Sequence, residues 1–537
     1  MKVRSDIMKL SKSMHTWVGV CSGILLFICF FAGGLSIFQH DLSRWGMPQQ
    51  QVLADVQPQD YNTLIEAVQN QHPSTQKGFT LNLSSQEFHY APITWTERGG
   101  RGDGFNLTQT AYLASLDKQG QLITEKENVS KLGWLIEQLH ETAGIPGMLG
   151  HHTLGIYVMG IVALLYFLAL MSGLILLLPT LVKDYFVIRA GKNKKRFWLD
   201  THNVVGITSL PFHIVISMSV VVFAFHDYFY DSIQHLALKG AAPFATPPAK
   251  VIEIKQNHID VSQILEQVKK VAPEYEVKYI QFSQLDKPQK ANARIALYSD
   301  TQMLRGANND FMTLNPYHVE HYNHKGINTQ TSNGQNFVNA LFSLHFGSYG
   351  GYGIRWIYLI LGLGGAFLFY SGNMLWVETR ARKQKRPQDA LPTQRKDVIF
   401  LANLTIGSCL GSVLAIASSM VIGRFAHVIT DVSSMNHVYL YSYYLIFVAA
   451  IAYSFIIGHQ RALMHLLLMI AISLLCIPMS SLLAWLLPHS PLWYDPNGMM
   501  VDMVAFILAI IFFKFYKNAQ HRADTAEVGS LWSSKKA

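Results

Sequence analysis

The sequence predicts an all-α polytopic membrane protein carrying two small α+β domains outside the bilayer, with a four-helix core built from two parallel repeats plus about four extra C-terminal helices. Three observations point there. Half of the 537 residues are hydrophobic and only 14% are charged, a balance foreign to soluble globular chains. Apolar runs long enough to cross a bilayer alternate with two long polar stretches. The chain also repeats itself: His15-Thr-Trp-Val-Gly-Val-Cys-Ser matches His202-Asn-Val-Val-Gly-Ile-Thr-Ser at His, Val, Gly and Ser.

The first membrane helix falls within residues 1–40. Thr16 to Gln39 holds no charged residue, which exceeds the roughly 20 residues a spanning helix needs. With basic residues before it and no small-residue cleavage site after it, this reads as an uncleaved anchor whose N-terminus is cytoplasmic. Residues 41–138 form the first external domain, with a helical pattern at Tyr61–Gln71 and alternating segments at Gly78–Leu83 and Ala111–Leu116. Residues 139–182 hold the second span with its preceding external segment. Residues 183–200 are a basic loop containing Lys183, Arg189, Lys192, Lys194, Lys195 and Arg196, which the positive-inside rule places in the cytoplasm.

The third span covers 201–226 and leads to a second external domain, 227–336, with a helix pattern at Val261–Val271 and strand patterns at Val277–Phe282 and Ala293–Tyr298. Residues 337–378 hold the fourth span, and 379–398 are a second basic linker. Four further spans fill 399–517: Ile399–Gly423, Val438–Ile457, Leu466–Leu487 and Met503–Phe513. Eight crossings return the tail, 518–537, to the cytoplasm. The +9 formal charge does not indicate nucleic acid, because Lys and Arg cluster just beyond the apolar runs and no basic groove with interleaved aromatics is visible. Cys21, Cys29, Cys409 and Cys476 all lie in apolar spans and read as packing residues.

Parallel repeats are related by an axis along the membrane normal, so matched residues should face one another at equal depth. His15 pairs with His202 at the cytoplasmic end. Leu139-His140 matches Leu344-His345 at the external end, and Ser172-Gly173 matches Ser371-Gly372. Two His pairs at opposite ends of a four-helix bundle are what two stacked b-type haems require, with imidazoles as axial ligands to iron. Asp200 or backbone carbonyls could accept the second ring N–H near His202. The neighbouring His151 and His152 offer the second pair an alternative to His140 and His345, and the sequence leaves both open. His213 lies 11 residues beyond His202, on a regular helix about 20° round and roughly 16 Å further along. Its repeat mate is Leu26, so it either replaces a terminal ligand or bonds a propionate or water. His226 reads as an interface residue. His318, His321 and His324 fit no structural zinc spacing, and His427, His437, His459 and His465 read as loop or helix-end residues.

The motifs His15-Thr-Trp-Val-Gly, Trp198-Leu-Asp-Thr-His-Asn, Leu210-Pro-Phe-His213, Leu344-His-Phe-Gly, Arg355-Trp-Ile-Tyr and Leu375-Trp376 occur in order over roughly residues 10 to 386. In these the chain resembles the PepSY-associated transmembrane helix family, whose iron-regulated inner-membrane members include ferric-siderophore reductases. The resemblance implies PepSY domains in the periplasm, haem b in the four-helix core, and electrons passing outward to a ferric siderophore or other iron chelate. The cytoplasmic loops are too short for a flavin or nicotinamide domain and no G-x-G-x-x-G joins a strand to a helix, so a separate cytoplasmic electron donor is expected. The alternative is a non-redox, membrane-anchored binding or regulatory protein, or a transporter of an iron- or metal-related small molecule.

Overall fold

The computed structural model describes the chain except residues 1–2, 49–52, 84–90, 97–109, 129, 151, 182–186, 190–193, 237–253, 307–308, 325, 328–332, 385, 387, 389, 431 and 534–537. It divides into a helical unit, residues 1–48, 130–225 and 357–537, and a sheet unit, residues 49–129 and 226–356. In chain order the helices begin with α1 (Ser5–Ser36), α2 (Gln39–Trp45), α3 (Tyr61–Gln71), α4 (Leu132–Thr142) and α5 (Leu154–Leu177). They continue with α6 (Lys194–Thr208), α7 (Leu210–Leu236), α8 (Val261–Val271), α9 (Asn333–Phe346) and α10 (Gly351–Arg380). The last four are α11 (Lys396–Ala426), α12 (Val432–Ile457), α13 (His459–Leu486) and α14 (Met499–Thr525).

Among the described residues seven helices are long and apolar enough to cross a membrane: α1, α5, α10, α11, α12, α13 and α14. The chain is a multi-pass membrane protein. The eighth expected span departs from a regular helix, because α6 and α7 meet at an angle of 68°. Pro211 causes the break: it has no N–H for the Ile207 carbonyl and its ring crowds that carbonyl. The rise and rotation expected between His202 and His213 on a straight helix therefore do not hold. Where α1 and α10 cross, a β-carbon on Gly362 would come within 2.8 Å of the Gly34 Cα, so two glycines let the backbones touch, as is common where no water drives helices together.

The sequence reads two separate external domains; the structure joins their strands in one antiparallel sheet. The strands are β1 (Gly78–Asn82), β2 (Ile93–Thr96), β3 (Thr110–Leu116), β4 (Leu122–Asn128), the short pair β5 (Met148–Leu149) and β6 (His152–Thr153), then β7 (Glu276–Ser283), β8 (Asn292–Tyr298), β9 (Asp310–Asn315) and β10 (His318–Asn323). The large sheet runs β10-β9-β8-β7-β1-β2-β3-β4, a mirror-ordered arrangement with the two copies meeting at β1 and β7. There Thr80 pairs with Gln281 and Leu81 with Ile280, while Phe79 pairs with Phe282 and Asn82 with Tyr279. Each pairing maps onto the other when residue numbers are exchanged at a separation of 200, which is the register of a two-fold axis between equivalent strands.

One face of this sheet carries the core. Leu64, Ile65 and Val68 of α3 and Ile264 and Val268 of α8 pack with Leu81, Ile93, Ile280, Ile295 and Met312. Asp260 caps α8 by accepting from Ser262 and Gln263 backbone N–H groups, and the Asn62 side chain accepts from Val261 N–H, joining the two helix N-termini.

Candidate functional site

The histidines expected to pair at the cytoplasmic end come together inside the helical unit. His15 on α1 and His202 on α6 have ring centroids 6.4 Å apart and planes inclined at 79°. Each is held by its Nδ1. That of His15 lies 2.8 Å from the Ala169 carbonyl of α5. That of His202 lies 2.9 Å from Ser371 Oγ on α10, and Ser371 spends its own hydroxyl proton on the Leu368 carbonyl. A carbonyl can only accept, and a hydroxyl that has donated can only accept further. Both imidazoles are therefore Nδ1–H tautomers, and each presents an Nε2 lone pair, the form that ligates a metal. Asp200, expected as a possible partner of His202, is instead paired with Arg189 at 2.9 Å and Arg196 at 3.1 Å; a carboxylate only 2% exposed is compensated by two guanidiniums.

The surroundings are glycine-rich and follow the repeat. A β-carbon on Gly173 would stand 2.9 Å from His15 Cε1, and one on Gly372 would stand 3.6 Å from His202 Cε1. Gly19 and Gly206 lie four residues after the two histidines, on the same helix faces. A β-carbon at Gly19 would meet nothing within 4 Å, and one at Gly206 would meet only Leu368 Cδ2, at 3.7 Å. Open volume thus stands beside the imidazoles. Metal–imidazole nitrogen bonds are about 2 Å long, so two imidazoles on opposite sides of one ion have centroids roughly 6 to 6.5 Å apart. The residues present fit a bis-histidine haem.

Two further histidines reach the stretch of α1 from Cys29 to Gly33. His140 on α4 donates from Nδ1 to the Cys29 carbonyl at 3.0 Å, and a β-carbon on Gly33 would lie 2.5 Å from that nitrogen. His213 on α7 is wholly buried among Phe30, Tyr166, Phe212 and Phe369, and among the described residues neither of its ring nitrogens has a hydrogen-bond partner. His345 belongs to the sheet unit, on α9, with its ring 5.5 Å from Phe346. The side chains of His152 and His226, and all of His151, lie outside the described residues. Among the described residues no group of three or more His, Cys, Asp or Glu could hold a metal ion; His318 and His321 sit on β10 with centroids 6.5 Å apart.

A family model described as the PepSY-associated TM region matches residues 12–379. The chain belongs to the PepSY-associated transmembrane family. No curated protein matches it. The family match spans both copies of the repeat and stops at the end of α10, so α11 to α14 are an addition to the family's region. Their attachment is a feature the sequence reading missed. Arg424 of α11, 1% exposed, donates to Ser480 and Ser481 of α13 at 3.1 and 2.7 Å and to the Trp493 carbonyl, with its guanidinium 4.6 Å from the Trp45 ring. Trp45 Nε1 and Ser481 Oγ both donate to Asp502 of α14, at 2.9 and 3.0 Å. The only sequence signal was one cation at the edge of an apolar run, which a polarity profile treats as a span boundary.

Proposed function

We propose that this PepSY-associated membrane protein is a haem b electron conduit of the bacterial inner membrane that reduces ferric chelates, ferric siderophores among them, in the periplasm. The observation that carries the reading is the His15–His202 pair: two Nδ1-anchored imidazoles 6.4 Å apart with glycines clearing the volume beside them. Haem b bound there would supply one-electron chemistry. The chain's part is to fix both tautomers through Ala169 and Ser371, to set the ligand planes, and to exclude water by burial, the levers by which a protein sets such a group's potential. A second haem belongs at the level of Cys29–Gly33, where His140 and the unpaired His213 meet α1.

The positive-inside rule supports the orientation, because Arg189, Arg196, Arg380, Arg382 and Lys383 follow the apolar spans. It puts both termini and the His15–His202 site on the cytoplasmic side, next to a separate donor, and the sheet unit in the periplasm as the PepSY portion. Release of ferrous iron from a chelate built for the ferric ion would complete the task.

The test is the dithionite-reduced minus oxidised spectrum of the purified full-length protein, read with the haem-to-protein ratio. A Soret and α band are expected, and His15→Ala and His202→Ala should each remove one haem equivalent while leaving a second. A protein without a redox-sensitive Soret band would be a non-redox binding protein or transporter, and retention of every haem in both variants would overturn the ligand assignment.

A further inference from the structure

The face of the sheet opposite the one that carries α3 and α8 holds a cationic, aromatic cluster. Arg294 of β8 lies with its guanidinium carbon 4.2 Å from the centre of the Phe311 ring on β9. Arg305 lies 5.7 Å from the same centre and 5.6 Å from the Phe342 ring of α9. The two like charges therefore stand within about 10 Å of each other. Among the described residues neither guanidinium has an ion pair with a carboxylate. Arg305 is set firmly: its backbone N–H donates to Asp310, and the preceding Leu304 carbonyl accepts from the hydroxyls of Ser343 and Ser348.

The repeat supplies an internal control. At a separation of 200, the pairings Ala293↔Leu314, Arg294↔Thr313 and Ala296↔Phe311 of β8–β9 reproduce Ile93↔Ala114, Thr94↔Leu113 and Thr96↔Ala111 of β2–β3. The first copy thus builds the same ladder with Thr94 where the second has Arg294 and Ala111 where it has Phe311. The fold does not require a cation or an aromatic ring at these places. Two unneutralised guanidiniums held over one ring are the arrangement that recognises flat, anionic oxygen ligands, through charge-assisted forked hydrogen bonds and stacking.

We infer that Arg294, Arg305 and Phe311 form a binding site for net-anionic ferric chelates, of the carboxylate or catecholate class, on the face of the sheet opposite α3 and α8. The inference names the substrate class for the reduction proposed above and rests on that reading. Phe342, which Arg305 touches, stands one helical turn before His345 on α9, so the site adjoins the helix carrying a candidate haem ligand.

The test uses the purified full-length protein and redox-inert gallium(III), so that binding is read apart from reduction. Gallium(III) citrate, an anionic chelate, should bind, and a cationic gallium(III) trihydroxamate should bind at least about tenfold more weakly. Arg294→Thr, which installs the first copy's residue, and Arg305→Gln should each weaken citrate-chelate binding about tenfold, the size expected for losing one charged hydrogen-bond donor, with the Soret spectrum unchanged. Failure of gallium citrate to bind, equal binding of both chelates, or unchanged affinity in both variants would overturn the site. Binding with the predicted variant losses in a protein that lacks haem would sustain the site and remove the reduction.

Discussion

At Gly173 a β-carbon would press on His15 at 2.9 Å, closer than real side chains approach, while at Gly372 it would rest at an ordinary 3.6 Å from His202. Equivalent positions in the two copies thus carry unequal constraints, and the proposed haem site inherits the difference. Gly173→Ala is expected to displace the His15 imidazole and lower the haem-to-protein ratio by at least half, whereas Gly372→Ala should keep the wild-type ratio; equal behaviour would mean that the ring can move aside. His213 offers a second test at this scale. Leaving a buried polar group unpaired costs about 1–3 kcal/mol, so an imidazole with two unpaired nitrogens persists where it is used. His213→Leu, which installs the residue of its repeat mate Leu26, is expected to remove the second haem and leave the first. A variant with unchanged haem content and a higher melting temperature would instead mark His213 as packing. His15 and His202 were legible because an intramembrane histidine repeated in register is a pattern in one dimension. Ala169 and Ser371 were not legible as their anchors, because contacts between distant helices leave no trace in periodicity.

The two helices of the sheet core were read to the residue, whereas the last span, expected at Met503–Phe513, runs Met499–Thr525. Tyr61–Gln71 and Val261–Val271 appear with the predicted bounds, since an apolar stripe bounded by Asp before and Pro after leaves little freedom. What apolarity cannot report is how a span bends or what it holds. Pro211 stands in a run apolar enough to read as one straight crossing, yet it splits that run into α6 and α7. The role of α11 to α14 was equally hidden. The polar cluster joining Arg424, Ser481, Asp502 and Trp45 shows that these helices fasten α2 at its Trp45 end. Arg424→Met should destabilise the helical unit by about 2–4 kcal/mol, because the Trp493 carbonyl and the Ser480 and Ser481 hydroxyls lose a charged donor and Asp502 loses a cation one serine away. Adding Asp502→Asn should recover part of that loss, and thermal denaturation of the three variants in one detergent checks it. An additive double variant would show that the two groups act independently.

At the scale of the molecule, duplication built one sheet where composition suggested two domains. Each polar stretch contains a helix and four strands, enough to look self-sufficient in a linear reading, and the pairing of β1 with β7 follows from neither stretch alone. Four strands with one covering helix would leave an edge with unpaired N–H and C=O groups; meeting at equivalent strands satisfies both edges at once. Leu81 and Ile280 form one pair of that seam, each with no exposed surface, so a carboxylate introduced there would be buried without a partner. Leu81→Asp and Ile280→Asp are each expected to open both copies together, seen as simultaneous loss of protection of residues 53–128 and 254–324 in limited proteolysis. The His15–His202 site lies wholly in the helical unit, so its Soret band should survive. If Leu81→Asp exposed only the first copy and left the second resistant, the two halves would be independently folding domains after all, and the shared core of α3 and α8 residues would contribute little to holding them.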